Sequence, residues 1–236
     1  MYTEFIFPDK RIVFTDDRRA FEEEKKKGTC LITTRSDLDG ADSYIEDEEQ
    51  INELTDDYFL RLYDRHVGRP HVILEFPYAE NDVVLRELSA KDYESYLLIC
   101  SQGGDGIYGS ENSEKLKEEL IKYRTGNEEY REQKEREFGK NVSEHYRLFD
   151  FGLWITLIDN KPAAIAGLES MEDGIYLGYV VDRAYRNKGL ATFICRRICR
   201  YAEDELGITQ IKARVDKDNI PSLRVIEKLG IKNENV

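Results

Sequence analysis

The chain has 236 residues, 40% of them hydrophobic, which is enough apolar material to bury a core in one large domain or in one domain with a smaller companion. A net charge of −13 argues against nucleic acid as the main partner. No apolar run approaches the ~18 residues of a membrane span, and the start, Met1 to Phe5, has no basic region followed by an apolar stretch, so the expectation is a cytoplasmic protein with no membrane partner.

The acidity is uneven. Residues 1–80 carry 20 acids and 11 bases, a net −9, whereas the remaining 28 acids and 24 bases give −4. Ser36 to Leu60 contain no Lys or Arg, while Asp37, Asp39, Asp42, Glu46 to Glu49, Glu53, Asp56 and Asp57 all fall there. Such a run reads first as a solvated surface and second as one that attracts a cationic substrate. Cys30, Cys100, Cys195 and Cys199 show no CxxC spacing, and His66, His71 and His145 are scattered, so no metal site is expected.

Residues 1–80 are expected to form an α+β N-terminal extension. Glu4–Phe7 and Arg11–Phe14 read as strands of a hairpin around Pro8-Asp9-Lys10. Arg18–Lys27 is a short charged helix ending at Gly28, and Thr29–Thr34 a third strand. Residues 45–65 spread Ile45, Ile51, Leu54, Tyr58 and Leu62 among acids, most simply a surface helix, and His71–Phe76 is a strand closed by Pro77.

Residues 81–236 read as a second domain. Val83–Leu88 is its first strand, and Ser89 with Asp92 three residues later opens a helix to about Cys100. Ser101–Gly109 is dense in glycine. It follows a helix and lacks the Lys-Ser/Thr of a phosphate loop, so it reads as a flexible loop. Residues 113–139 are two helical pieces broken at Thr125-Gly126-Asn127. Residues 148–158 and Ala163–Leu168 are strands, with turns at Asp159–Pro162 and Met171–Gly174. Ile175–Val181 is β-branched and aromatic, a central strand. Leu190, Phe193, Ile194, Ile198, Tyr201, Ala202 and Leu206 keep the i, i+3, i+4 rhythm of one helix face, and Gly207 caps it. Ile208–Val215 is a fifth strand, and Pro221 begins the last helix.

The stretch that organises this domain is Val180-Val181-Asp182-Arg183-Ala184-Tyr185-Arg186-Asn187-Lys188-Gly189-Leu190-Ala191-Thr192. A glycine between strand and helix lets backbone approach a ligand, and free N–H groups at a helix start suit a pyrophosphate. Arg-x-x-Gly-x-Ala after Val-Val-Asp resembles the acetyl-CoA loop of the GCN5-related N-acetyltransferase (GNAT) superfamily. A later element, Asn219-Ile220-Pro221-Ser222 to Glu227-Lys228-Leu229-Gly230, strengthens the resemblance and is similar to the branch that acetylates ribosomal-protein N-termini.

The resemblance implies an α/β fold with a mixed central sheet and flanking helices, and an acetyl-CoA-dependent N-acetyltransferase acting on a primary amine of a small molecule. The alternatives are protein N-terminal acetylation and a non-catalytic acyl-CoA-binding module. By resemblance, Val180, Val181 and Asp182 hold the acyl and pantetheine region, Arg186, Asn187, Lys188, Gly189, Leu190, Ala191 and Thr192 the pyrophosphate, and Asn219 the pantetheine arm. For catalysis, Glu169 is the candidate base through water, Ser222 the candidate partner of the departing sulfur, and Tyr179 a further candidate on the central strand. Tyr176 stands where the ribosomal-protein branch often has Glu, and Ile226 where many members have a tyrosine acid. Superfamily members usually add two more strands after the Glu-Lys-x-Gly element, and only six residues follow Gly230 here. The expectation is therefore that strands from residues 1–80, or a homodimer partner, cover the open edge of strand five.

Overall fold

The computed structural model describes residues 2–7, 10–78, 81–103 and 110–234. The turn residues Pro8 and Asp9 and the glycines from Gly104 to Gly109 lie outside them. The chain divides into two compact units, Met1–His71 and Val72–Val236.

In the first unit, β1 (Tyr2–Phe7) and β2 (Lys10–Thr15) pair antiparallel, as the hairpin reading expected. The Asp17 carboxylate accepts from the Ala20 N–H and so caps α1 (Arg18–Lys26). Next, β3 (Cys30–Thr33) lies parallel to β2 and β4 (Ser43–Tyr44) parallel to β3, giving the sheet order β1-β2-β3-β4. Alternation along the strands builds two small cores. Val13 and Leu31 meet Phe21 of α1 on one face, while Ile12, Phe14, Cys30 and Ile32 meet Phe59 and Leu62 on the other. The helix expected over 45–65 starts later. Its first part is a single 3-10 turn at Gln50–Asn52, and α2 (Asp56–His66) begins only where Thr55 accepts from the Tyr58 N–H.

The second unit is built on a seven-stranded sheet in the order β11-β10-β9-β8-β7-β6-β5. The strands are β5 (Val72–Tyr78), β6 (Asn81–Glu87), β7 (Leu153–Ile158), β8 (Lys161–Met171), β9 (Gly174–Val181), β10 (Ile211–Ala213) and β11 (Lys232–Asn233). From β5 to β9 all neighbours are antiparallel, whereas β10 is parallel to β9 and β11 parallel to β10, a mixed sheet. Between β6 and β7 run α3 (Tyr93–Cys100), α4 (Ser110–Thr125) and α5 (Glu128–Phe149); α6 (Leu190–Leu206) follows β9 and α7 (Ile220–Leu229) follows β10.

Side-chain alternation splits the core. Trp154, Ala164, Ala166, Leu177 and Val181 face Leu190, Ile194 and Ile198 of α6, whereas Ile155, Ile165 and Val180 face α3 and α4. Ser89 and Asp92 form the capping box read from sequence, and Arg86 holds Asp92 with two bonds of 2.8 Å.

Two expectations need correction. The domain boundary read at residue 80 sits instead at His71/Val72, because Val72–Tyr78 pairs with β6 and completes that sheet. The edge of β10 is covered not by residues 1–80 but by β11: Lys212 and Ala213 align with Lys232 and Asn233, and the Asn233 side chain bonds both Val215 N–H and Val215 C=O. Among the described residues, β1 to β4 pair only with one another. The strand expected from residue 148 begins at Leu153, because Leu148 and Phe149 finish α5 and Asp150 takes a left-handed φ of 56° to end it.

Candidate functional site

β9 and β10 part company. Their pairing covers only Ile175 with Ile211 and Tyr176 with Lys212, so among the described residues no strand pairs with β9 on that side from Leu177 onward. The Asp182 N–H bonds to Ala163 C=O at 2.9 Å, which sets the alternation: Val180 and Asp182 spend their backbone groups on β8, and Tyr179 and Val181 direct theirs to the unpaired edge. A cleft of about 780 Å³ opens there. Tyr179, Val180 and Val181 line one wall, the start of α7 the other, and the turn into α6 closes the end.

That turn is held in a conformation few residues tolerate. Asn187 has φ 61° and Gly189 φ 80°, both left-handed. Gly189 is the N-cap of α6 and offers no side-chain acceptor, so the N–H groups of Leu190, Ala191 and Thr192 keep no intrahelical partner. Arg186, Asn187, Gly189, Leu190, Ala191 and Thr192 all line the cleft. Unpaired N–H groups at the positive end of a 17-residue helix suit an anion.

Across the cleft, the Asn219 side chain accepts from the Ser222 N–H at 3.2 Å and caps α7. Asn219 and Ser222 line the cleft, and Arg224 and Lys228, one helical turn apart, add positive charge. The Tyr179 phenol is pushed up to about 12 by burial, with a hydrogen bond to Ser222 acting in the opposite direction. It is therefore protonated at neutral pH and able to donate.

Two residues expected at the cofactor are engaged within the protein. Lys188 donates to Ala184 C=O at 2.9 Å and lies over the Tyr185 ring, and Asp182 caps the 3-10 turn Arg183–Tyr185. Neither is among the cleft-lining residues. Arg186 lines the cleft, but its guanidinium is tied to Val181 C=O at 2.8 Å and Gln102 C=O at 2.9 Å.

Gln102 falls in the stretch that the sequence marks only as a flexible loop, and nothing in its local pattern signals a role at the site. Its amide donates to Asp182 Oδ2 at 2.8 Å and accepts from the Arg183 N–H at 3.1 Å, so the end of α3 is stapled to the end of β9. Gln102 stands 80 residues before Asp182, and no local pattern could have announced that bond.

Glu169 faces a different space. It stands opposite Tyr176 on β9 and lines a second cavity, of about 270 Å³, beside α5. Burial holds its carboxyl above the usual range, partly offset by Arg214. Tyr179 and Ser222 thus meet, and Glu169 does not join them.

In the first unit the fold assembles what spacing did not suggest: ligand atoms of Cys30, Asp42 and His66 lie within 4.8 Å of one another. His66 Nδ1 is 2.8 Å from Asp42 Oδ1 and Nε2 is 2.8 Å from Gly28 C=O. Two acceptors around one imidazole demand two ring protons, so the cluster is an ion pair around an imidazolium.

Among the described residues no helix is long and apolar enough to cross a membrane. In Bacillus subtilis, "Probable N-acetyltransferase YjcK" is 29% identical over 91 residues, 37% of this chain and 50% of that protein. "Uncharacterized N-acetyltransferase YnaD", from the same organism, is 36% identical over 58 residues, 25% of this chain and 34% of that one. The chain thus spans half or less of the curated relatives it matches. A solved acetyltransferase (GNAT family) from Bacillus anthracis is 19% identical, with a TM-score of 0.46, over 70% of this chain and 86% of that one. Residues 82–232, well over half of the sequence, match the profile described as the acetyltransferase (GNAT) domain, and the chain belongs to that family.

Proposed function

We propose that this chain transfers the acetyl group of acetyl-CoA to a primary amine of a small molecule. The observation that carries the reading is the cleft itself, which brings Val180, Val181, Arg186, Asn187, Gly189, Leu190, Ala191, Thr192, Asn219 and Ser222 around one space in a GNAT-family domain. The fit to acetyl-CoA is chemical. Uncapped N–H groups of α6 face a pyrophosphate, Arg224 and Lys228 add charge for a polyanion, and the unpaired N–H groups of Tyr179 and Val181 meet an extended amide-bearing arm.

Acetyl-CoA supplies the thioester when bound. The chain's own residues do the rest. An edge N–H near Val181 polarises a carbonyl placed against it, and Tyr179, steadied by Ser222, donates toward a departing sulfur. An alkylammonium must lose a proton before it can attack, and Glu169, a half-buried carboxylate in the second cavity, is the group proposed to draw the ammonium in for that step. Calorimetric titration of CoA, with thiol release followed on a panel of amines, tests the reading. Absence of CoA binding would refute it, and binding without turnover on any amine would favour an acyl-CoA-binding module.

A further inference from the structure

The cavity at Glu169 is a built pocket. On α5, Phe138, Val142 and His145 recur at i, i+4 and i+7, one stripe of the helix, and all three line it. Leu153 and Leu168 add apolar wall from the sheet, so most of the surface is hydrocarbon or ring. At about 270 Å³ the space falls just below the ~300–1,000 Å³ of pockets that take drug-sized ligands. It suits one ring or a short branched chain, not a polyamine or a long peptide side chain.

Two polar groups converge on this apolar space. Glu169 is half-buried, and among the described residues no hydrogen bond or ion pair holds its carboxylate; Arg214 acts on it only at a distance. His145 is also half-buried, packs against Phe149 and Phe151, and is shifted by burial toward the neutral imidazole. The other ionisable groups lining the cavity are Tyr96 and Tyr146. A carboxylate attracts an ammonium, a neutral imidazole accepts its proton, and an apolar wall wants a hydrocarbon substituent. Glu169 stands across from Tyr176, three residues and about 10 Å along β9 from Tyr179, and so projects from the opposite face of the sheet, the face of Ile165 and Val180; an amine held there approaches β9 from the side away from Tyr179.

Resting on the acetyltransferase reading, we infer that this cavity is the acceptor pocket and that the acceptor is a compact arylalkyl primary amine, with Glu169 holding its ammonium and His145 taking its proton. The balance is complete. One N–H proton passes to His145 and on to solvent, and the nitrogen lone pair forms the N–C bond as the C–S bond breaks. A second N–H proton ends on the sulfur, giving the acetamide and free CoA thiol.

The experiment uses the full chain with acetyl-CoA and 2-phenylethylamine, with spermidine and an unblocked peptide as comparison acceptors, and reads thiol release. Phenylethylamine is expected to saturate with kcat/KM at least tenfold above either comparison. His145→Gln is expected to lower kcat at pH 7 about 100-fold, with the KM for acetyl-CoA unchanged. Much of that loss should return near pH 10, where the free amine needs no base, a recovery that a merely structural role of His145 would not give. Glu169→Gln is expected to raise the KM for phenylethylamine, and Phe138→Ala to narrow its advantage over spermidine. Calorimetric CoA binding checks that each variant is folded. If the unmodified chain fails to bind CoA, the acetyltransferase reading falls, and this inference with it. If it binds CoA but spermidine or the peptide is used as well as phenylethylamine, or no amine is used, the pocket assignment is overturned while the CoA site stands. A pH-independent loss in His145→Gln overturns its role as the base.

Discussion

Gly189 shows what a single residue decides in this site. Its φ of 80° is left-handed, and it lines the cleft at the start of α6, where the proposed reading brings backbone close to CoA. A β-branched side chain both strains that conformation and fills the approach. Gly189→Val is expected to abolish CoA binding by calorimetry, and normal affinity in that variant would sink the loop assignment. Tyr179 is a phenol kept protonated by burial beside Ser222. Tyr179→Phe removes the donor and keeps the ring, so kcat is expected to fall about 100-fold with CoA affinity retained. An unchanged kcat would remove Tyr179 from the reaction. His66 carries a separate consequence. Its imidazolium is raised above the ordinary value mainly by the bond to Asp42. A raised folded value stabilises below the unfolded pKa near 6.5, and that stability is lost as pH rises through the folded value. The unfolding midpoint of the intact chain should exceed that of His66→Gln at pH 5.5 and approach it by pH 9. A gap that widens with pH would contradict the ion pair.

Between elements, the joints matter more than the lengths. Gln102 joins α3 to β9 through Asp182, Arg183 and the Arg186 guanidinium. Without it, the turn that presents the α6 N-terminus is less firmly placed. Gln102→Ala is expected to raise the KM for acetyl-CoA about tenfold, the equivalent of about 1.4 kcal/mol, with a smaller effect on kcat. A kcat effect alone would place Gln102 at the chemistry instead of the scaffold. The second joint is the edge of the sheet. β5 pairs along nearly the whole of β6, from Val72 with Arg86 to Tyr78 with Asn81. A fragment that begins at Asn81 leaves β6 as a long bare edge, and aggregation is expected. A fragment that begins at Val72 keeps the cover, and a monomeric, cooperatively folding 81–236 fragment would show that β5 is dispensable.

At the scale of the whole molecule, the two units differ in content. The acidic run from Ser36 to Leu60 belongs to Met1–His71, and every residue lining the cleft lies between Gly103 and Lys228. The 72–236 fragment is therefore expected to bind CoA within about twofold of the full chain, since each unit has its own core. A loss of more than tenfold would mean that residues 1–71 shape the site.

Local chemistry was legible in the sequence wherever neighbours along the chain decide the outcome. The capping box at Ser89 and Asp92, the break at Gly126, the glycine-capped end of α6 and the strand-turn-helix around Gly189 are all decided within a few residues. The family motifs were legible for the same reason, because a backbone loop and a helix start recognise a phosphate through contiguous residues. Long-range pairing was not. That β11 covers β10, that Gln102 reaches Asp182 and that Cys30, Asp42 and His66 meet all depend on segments up to some 80 residues apart. Strand alternation says which side chains share a face and nothing about which strand lies alongside. That choice is made by the packed core, and with it the parting of β9 from β10 that opens the cleft.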